Sequence, residues 1–164
     1  MKSKNNTTRT INDLEILTEL NSTERQIVKF VYHWDKEIPP NTNDIYKGLK
    51  IKQSTISSTL KRMKESKKLK KDIFNYKPHH DVTLTAYGKR IAEHLEHHHH
   101  IMEIYLHQSL GLDELVSHQE SELLGLSVSC NLTNIISEKF NITKEKLGQY
   151  CICPEEKTSE CVLK

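Results

Sequence analysis

Apolar residues recur at helical spacing along the first part of the chain, which predicts a row of short helices. The first lies within residues 11–20 and the second within residues 22–37. Their apolar positions are, in order, Ile11, Leu14, Leu17, Leu20, Ile27, Phe30, Val31 and Trp34. Asn21 and Glu24 have the spacing of a capping box, in which each side chain accepts the other residue's backbone N–H. We therefore predict that the second helix begins directly after Asn21.

The next stretch predicts a change from helices to strands. Residues 42–50 predict a short helix, and residues 53–68 predict another after a tight break. Residues 69–85 predict two short strands around a loop that contains a proline. The order helix, helix, tight turn, helix, hairpin is that of a winged helix-turn-helix.

A long helix is predicted over residues 86–110, with Thr85 as its N-cap and Gly111 at its end. Its inward stripe is Ile91, Leu95, Met102, Leu106 and Leu110. Residues 113–126 and 131–140 predict two further helices.

These elements predict a mainly α fold, with a winged helix-turn-helix domain followed by a helical domain. The expected divisions are a flexible N-terminus with a short helix (1–20), the winged domain (21–87), the helical domain (88–147) and a cysteine-containing tail (148–164).

The distribution of charged residues also differs between the two predicted domains. Residues 46–77 hold eleven Lys and Arg against two acidic residues, whereas residues 91–164 hold five Lys against twelve Asp and Glu. The basic part suits a polyanion and the acidic part suits cations. No apolar run approaches the length of a membrane span and the N-terminus lacks the apolar core of a signal peptide, so we expect a cytoplasmic protein without a membrane partner.

The basic part includes the third helix of the winged domain, residues 54–66. Its polar side offers small hydroxyl groups for base edges and cations for phosphates: Thr55, Ser57, Ser58, Lys61 and Arg62. The hairpin adds Lys68, Lys70, Lys71 and Lys77. We predict that this helix binds double-stranded DNA. The alternative is a solvated, lysine-rich face on an ordinary helical domain.

Four consecutive histidines, His97–His100, lie in the middle of the long helix. His99 falls beside the inward stripe with Glu103 one turn below it, and His118 and Glu122 repeat this spacing in the next helix. On packed helices, two imidazoles and two carboxylates suit Fe²⁺, Mn²⁺ or Zn²⁺. The alternative is a pair of surface His–Glu contacts. The other histidines of the run are expected to be replaceable surface residues.

The four cysteines of the chain, Cys130, Cys151, Cys153 and Cys161, all lie in its last 35 residues. In a reducing compartment such a group suits structural Zn²⁺ or an iron–sulfur cluster. Free thiols on a flexible end are the alternative, because the Cys-x-Cys spacing is tighter than that of a zinc ribbon.

Three motifs carry a family resemblance: "STISSTLKRM", "VTLTAYGKRIAEHL" and "HHHHIMEIYLHQSLGLDELVSHQESE". Over about residues 22–122 the chain resembles the metal-dependent repressors of the diphtheria-toxin-repressor and manganese-regulator (DtxR/MntR) family. The resemblance implies a homodimer whose helical domain supplies dimerisation and metal binding. It implies that His99, Glu103 and His118 match the family's ancillary metal site and that Glu122 matches a primary-site ligand.

The chain departs from that family at the primary metal site. Family members place Glu and His three and four residues after the Glu122 position, where this chain has Gly125 and Leu126. The ligand position in the first helix is taken by Arg25, a cation. We also expect the protein to lack the third, SH3-like domain of longer members. Metal control then depends on the ancillary-like cluster or on the cysteines.

The leading hypothesis is a dimeric, metal-responsive transcription regulator. It is expected to be a repressor that controls iron or manganese homeostasis. The alternative is a winged-helix regulator that senses redox or iron–sulfur status through its cysteines. The third hypothesis is a metal-storage or hydrolytic protein. It does not explain the basic segment, because neither activity requires binding to a polyanion. The sequence contains no nucleophile elbow, phosphate loop or His-Glu-x-x-His motif, so we predict that the protein is not an enzyme.

Overall fold

A computed structural model describes residues 19–65, 72–77 and 80–143, and within these ranges the chain forms six helices and one antiparallel hairpin. The elements in chain order are α1 (Ser22–Tyr32), α2 (Thr42–Leu49), α3 (Gln53–Glu65), β1 (Phe74–Asn75), β2 (Thr83–Leu84), α4 (Ala86–Leu110), α5 (Glu114–Gly125) and α6 (Cys130–Lys139). The predicted fold class, a winged helix-turn-helix followed by a helical domain, is confirmed. Residues 11–18 of the first predicted helix lie outside the described residues, whereas Leu20, its last apolar position, is described and buried.

The chain divides into two compact units, Met1–Ala92 and Glu93–Lys164, and the boundary falls within α4. Helices α1 to α3 and the hairpin form the first unit. Its core contains six aliphatic side chains that are fully buried: Ile27, Val28, Ile45, Ile56, Leu60 and Val82. Burial of such side chains is the main force that holds three short helices together.

Helix α1 begins where the sequence predicts. The Asn21 side chain accepts the N–H of Glu24 at 3.0 Å, and the Glu24 carboxylate accepts the N–H of Asn21 at 2.8 Å. This capping box satisfies two backbone donors that a helix start leaves unpaired. Along the helix Ile27 and Val31 are buried and Phe30 is half-buried, whereas the half-buried Trp34 lies beyond the end of the helix at Tyr32.

The turn between α2 and α3 is short and tightly bonded. Lys50 ends α2 in the left-handed region at φ 58°, and its N–H donates to the carbonyl of Tyr46 at 2.8 Å. The Gln53 amide donates to the Thr42 hydroxyl at 3.3 Å and so joins the starts of the two helices. These contacts set the angle at which α3 leaves the turn.

The hairpin pairs Phe74 with Leu84 and Asn75 with Thr83. Thr85 then links the hairpin to α4. Its hydroxyl donates to the carbonyl of Asp72 at 2.7 Å and accepts the N–H of Gly88 at 2.9 Å. Thr85 therefore caps α4, as predicted.

The second unit contains the rest of α4 together with α5 and α6. Its apolar core consists of Ile101, Met102, Ile104, Ile136 and Ile142. Gly111 ends α4 at φ 70°, a conformation that glycine adopts without strain. The inward stripe predicted for α4 is buried from Ile91 to Leu106, but Leu110 is 57% exposed because it lies in the last turn of the helix.

No helix within the described ranges is both long enough and apolar enough to cross a lipid bilayer.

Candidate metal centre and nucleic-acid interface

The histidine run of α4 is more deeply covered than its polar character suggests. The side chains of His98, His99 and His100 are 2%, 0% and 6% exposed to solvent, and His97 is the one half-buried histidine of the run. The expectation that the histidines around His99 are surface residues is therefore wrong for His98 and His100. Because burial removes these imidazoles from water, their polar ring atoms need hydrogen-bond partners or a bound cation.

Three of the four predicted metal ligands lie together in the second unit. His99 Nε2 is 3.4 Å from Oε2 of Glu103, and Oε1 of the same carboxylate is 3.3 Å from Nδ1 of His118. One ligand atom from each of these residues lies within 4.8 Å of the other two. We call this group, His99, Glu103 and His118, the α4–α5 trio.

Two atoms at the centre of the trio are poorly satisfied. His99 Nε2 and Glu103 Oε2 are fully buried, and neither has a hydrogen-bond partner in the part of the chain that the structure describes. Their separation of 3.4 Å is too long for a strong hydrogen bond. Burying such groups without a partner costs about 1–3 kcal/mol each. A cation held between the nitrogen and the carboxylate would remove this cost, so the trio fits a divalent metal.

The fourth predicted ligand, Glu122, contacts the opposite side of the same imidazole. Its Oε1 lies 3.4 Å from Nδ1 of His99 rather than from Nε2, and its side chain is 42% exposed. The hydroxyl of Ser121 lies 3.0 Å from that same nitrogen and donates to the carbonyl of His118 at 2.8 Å. The structure therefore brings Glu122 to His99 but not into the trio.

Helix α5 approaches α4 through small residues at four-residue spacing, Ser117, Ser121 and Gly125. Both serines are fully buried, and a Cβ atom at Gly125 would stand 2.8 Å from the Cα of His99. This contact explains in physical terms why Gly125 has no ligating side chain, since no side chain fits there. Sequence reasoning missed Ser121 and the packing role of Gly125, although their spacing from Ser117 was the available signal.

The start of α5 is fixed by its own cap. Asp113 accepts the N–H of Val116 at 3.0 Å, and the turn at Gly111 directs the chain back along α4. His107 adds a contact of 2.8 Å between its Nδ1 and the carbonyl of Leu112. These bonds place His118 one helical turn into α5, where it reaches Glu103.

His97 has the clearest electrostatic perturbation of the run. Its pKa is lowered from 6.5 to about 4, first by burial and then by the neighbouring imidazoles of His94 and His100. Nδ1 of His97 is buried with no hydrogen-bond partner among the described residues. His97 is therefore held neutral at physiological pH.

The predicted cysteine cluster falls mostly outside the described residues, which end at Thr143. Cys130 alone is described, and it is buried at the first position of α6. The cluster of Cys130 with Cys151, Cys153 and Cys161 stays a prediction.

The predicted DNA-contacting residues all lie on α3 of the first unit. Thr55, Ser58, Lys61 and Arg62 are exposed, and Ser57 is half-buried. The Ser58 hydroxyl donates to the carbonyl of Thr55 at 3.0 Å. Arg62 also has a structural contact, because its guanidinium donates to the buried carboxylate of Glu24 at 2.9 Å. Of the hairpin lysines, only Lys77 is described, and it is exposed.

No protein-family model and no curated protein matches this sequence. Solved structures do match. The hypothetical protein SSo2273 from Sulfolobus solfataricus has a TM-score of 0.58 at 20% identity, over 74% of this chain and 89% of that one.

A manganese-dependent transcriptional repressor in complex with manganese has a TM-score of 0.58 at 22% identity, over 76% of this chain. The protein ScaR with bound Zn²⁺ has a TM-score of 0.59 at 18% identity, also over 76% of this chain. This chain covers only 54% and 56% of those two proteins. It therefore has the fold of part of a manganese-dependent repressor, a winged helix-turn-helix followed by a helical domain.

Proposed function

We propose that this protein is a metal-responsive transcription regulator that binds double-stranded DNA as a homodimer. The observation that carries the proposal is the buried α4–α5 trio, whose ligand atoms lie within 4.8 Å of one another in a chain with a winged helix-turn-helix. The fold shared with a manganese-dependent repressor supports the same conclusion. We further propose that the protein acts as a repressor in iron or manganese homeostasis.

The trio offers two imidazoles and one carboxylate, a set that suits Fe²⁺, Mn²⁺ and Zn²⁺. His99, Glu103 and His118 would bind the ion through side chains that α4 and α5 already hold close together. A bound ion would supply the positive charge that the two unsatisfied buried atoms lack. Because binding an ion at the trio links two helices, it would stabilise one arrangement of the second unit over others.

On the first unit, α3 supplies the DNA contacts. Thr55 and Ser58 are exposed near the start of the helix, where short polar side chains approach base edges. Lys61 is exposed further along and would contact phosphate. Arg62 would contact DNA and would also anchor α3 to α1 through its ion pair with Glu24.

Homodimerisation has its own support in the second unit. Helices α5 and α6 expose large apolar side chains that a monomer would leave in water: Leu115, Val116, Leu123, Leu132 and Ile135. Val116 and Leu123 are seven residues apart, so they share one face of α5. Apolar residues grouped in this way are typical of an interface.

A DNA-binding titration tests the proposal. Duplexes would be selected from a random-sequence pool by the protein in the presence of Mn²⁺, and affinity would then be measured by fluorescence anisotropy with Mn²⁺, Fe²⁺, Zn²⁺ or a chelator. We expect a metal to raise affinity by roughly 5- to 150-fold, the usual range of such coupling. Equal affinity with metal and with chelator would contradict the proposal.

Two variants connect that response to the trio. Glu103→Ala should abolish the metal response, because it removes the carboxylate that contacts both histidines. Glu120→Ala is the matched control, since it removes an exposed carboxylate from α5 and should leave the response intact. A response that survives Glu103→Ala would place the sensing metal elsewhere in the protein.

A further inference from the structure

We infer that Glu24, at the start of α1, is a positioning residue for DNA binding. It holds the Arg62 guanidinium of α3 in one orientation, so that the exposed side of that group binds a backbone phosphate. The inference rests on the proposed function in one respect, namely that α3 binds double-stranded DNA. It assigns a role in DNA binding to an acidic residue, although negative charge alone opposes binding to a polyanion.

The Glu24 carboxylate is buried and uses its two oxygens for different partners. Its side chain is 8% exposed. Oε2 accepts the N–H of Asn21 at 2.8 Å and completes the capping box of α1, whereas Oε1 accepts a hydrogen bond from Nη2 of Arg62 at 2.9 Å. Nε of Arg25 donates to the carbonyl of the buried Leu20 at 3.0 Å and so also holds the start of the helix. The acceptor for Arg62 is therefore fixed by the backbone of α1.

Helix α3 has other contacts that hold its backbone in place. In its last turn Lys64 donates to the carbonyl of Tyr76, directly after β1, at 3.0 Å. An ion pair whose arginine side chain is 59% exposed adds little to such packing. Its main effect is on the Arg62 side chain itself, which would otherwise sample many rotamers. The apolar stripe that packs α3 against the rest of the unit is buried: Ile56, Leu60 and Met63.

The position of Arg62 favours a phosphate over a base edge. Arg62 lies in the last turn of α3, whereas recognition helices contact bases mainly through residues near their start. Thr55, Ser58 and Arg62 follow one another at intervals of three and four residues, so they share one exposed face of the helix. A phosphate bound by Arg62 in a fixed direction would set the register at which Thr55 and Ser58 meet base edges.

The guanidinium group can bind both partners at once. It has five N–H donors in a rigid fork, and the hydrogen bond from Nη2 to Glu24 uses one of them. The donors on its exposed side can bind a phosphate through two parallel hydrogen bonds. Glu24 therefore does not compete with the phosphate and instead directs the fork toward it.

Substitution of Glu24 by glutamine removes the negative charge but keeps the helix cap. The amide oxygen of glutamine can accept the N–H of Asn21, since capping boxes contain either glutamate or glutamine at this position. The amide NH₂ would then face the Arg62 guanidinium, and two donors cannot form a hydrogen bond with each other. Glu24→Gln therefore separates the ion pair from the cap.

Fluorescence anisotropy with duplexes selected in the presence of Mn²⁺ tests the sign of the effect. Removal of an exposed acidic charge should leave affinity for a polyanion equal or slightly higher. Glu37→Gln, at an exposed position between α1 and α2, is the matched control and should follow that rule. Glu24→Gln should instead weaken binding to the selected duplex by roughly 3- to 30-fold, within the range of coupling between residues in contact. Parental or higher affinity in Glu24→Gln would overturn the inference.

A purely structural role for Glu24 would give a different pattern. Loss of folded protein lowers affinity for selected and scrambled duplexes by the same factor, whereas loss of register should lower it more for the selected duplex. In an Arg62→Gln background, Glu24→Gln should have no further effect, because Glu24 acts through Arg62. Thermal unfolding followed by circular dichroism would show that each variant is folded. Equal losses on the two duplexes, or a full additional loss in the Arg62→Gln background, would contradict a positioning role.

Neutral methylphosphonate groups locate the phosphate. When each backbone phosphate of the selected duplex is replaced in turn, one replacement should weaken binding by the parent protein but have little effect on Arg62→Gln. In Glu24→Gln the loss at that position should be smaller than in the parent. If no position distinguishes the parent from Arg62→Gln, then Arg62 does not bind a phosphate and the assignment is wrong.

Nitrogen-15 relaxation of the Arg62 guanidinium tests its orientation in protein without DNA. We expect an ordered Nε–H group in the parent and a more mobile one, on the picosecond to nanosecond timescale, in Glu24→Gln. Equal mobility in the two proteins would mean that Glu24 does not hold the arginine. Failure of the inference and failure of the proposed function are distinguishable, because this measurement needs neither DNA nor metal. The proposed function fails if metal does not change DNA affinity.

Discussion

Gly125 of α5 lies so close to His99 of α4 that a Cβ atom at Gly125 would stand 2.8 Å from the Cα of His99 and 2.9 Å from its backbone nitrogen. Real side chains do not approach backbone atoms so closely, so any larger residue must push the helices apart. The same contact holds α5 near enough for Ser121 to reach His99 and for His118 to reach Glu103. The geometry of the trio therefore depends on the absence of a side chain at position 125.

Gly125→Ala should weaken metal binding as well as folding. Overpacking at this contact should cost about 1–3 kcal/mol in the free energy of unfolding. Displacement of α5 should lower Mn²⁺ affinity by about tenfold or more, the effect of disturbing residues that orient a ligand. Calorimetry and urea unfolding would measure both quantities, with Glu120→Ala as an exposed control on the same helix. Parental metal affinity in Gly125→Ala would show that the close approach does not position the site.

Gly125→Glu introduces the residue type that the resembled family has at this position, but it should not create a second metal site. The carboxylate has no space beside the His99 backbone. We expect lower stability and lower metal affinity than in the parent protein. A gain of one bound Mn²⁺ per chain would contradict this reading of the helix contact.

The lowered pKa of His97 predicts a pH dependence of stability in the metal-free protein. The folded pKa of about 4 lies below the ordinary value of 6.5, so the unfolded chain binds the proton first as pH falls. The stability associated with neutral His97 is thus complete above pH 6.5 and is lost progressively toward pH 4. The loss is at most about 3 kcal/mol over this window.

His97→Gln removes the titrating group and should therefore lose less stability between pH 6.5 and pH 4 than the parent protein. Urea unfolding at several pH values, with chelator present, would give the difference between the two free energies of unfolding. Gln119→Ala, an exposed change without a titrating group, should show a constant difference. A constant difference for His97→Gln as well would mean that its imidazole titrates alike in the folded and unfolded states.

Two substitutions in α3 should separate affinity from base preference. Lys61→Ala should weaken binding to all duplexes and reduce the slope of affinity against salt by about one unit, because one phosphate contact is lost. Thr55→Ala should instead relax the preference for the selected sequence. Anisotropy titrations at several salt concentrations, on selected and scrambled duplexes, would measure both effects. If both variants bind like the parent at 0.15 M salt, α3 does not read DNA.

A charge placed on the exposed apolar face of α5 should disrupt the homodimer. Leu123 is 63% exposed and shares its face with Val116, so Leu123→Lys would place an ammonium group within the interface. We expect analytical ultracentrifugation to show a dimer for the parent and a monomer for this variant. Glu93→Lys adds a lysine at an exposed position of α4, away from the apolar face of α5, and should remain dimeric. A dimeric Leu123→Lys would mean that the interface lies elsewhere.

The features that the sequence predicts well are those with local causes. The Asn21–Glu24 capping box, the Thr85 cap and the Gly111 helix end each follow from a few neighbouring residues, and each is present in the structure. The spacing of His99 and Glu103 likewise indicates that they share a helix face before any packing is known.

The features that the sequence does not predict depend on how helices pack. Ser121 contacts His99 only because α5 returns along α4, and Gly125 determines how closely it does so. Periodicity assigns polar residues to the surface, so His98 and His100 were expected in solvent, yet both are buried. Apolar pattern alone cannot indicate which polar side chains a neighbouring helix will cover.

The central claim, that His99 belongs to a metal site whereas His97 does not, is tested most directly by calorimetric titration of both alanine variants with Mn²⁺. Mn²⁺ is suitable because thiolates favour softer ions, so the cysteines should not contribute. His99→Ala should lose binding at the trio, since it removes one of the three ligands that lie within 4.8 Å of one another. His97→Ala should keep the parental stoichiometry and nearly the parental affinity. Equal and small losses in the two variants would contradict the account and would make the histidine run a feature of helix packing alone.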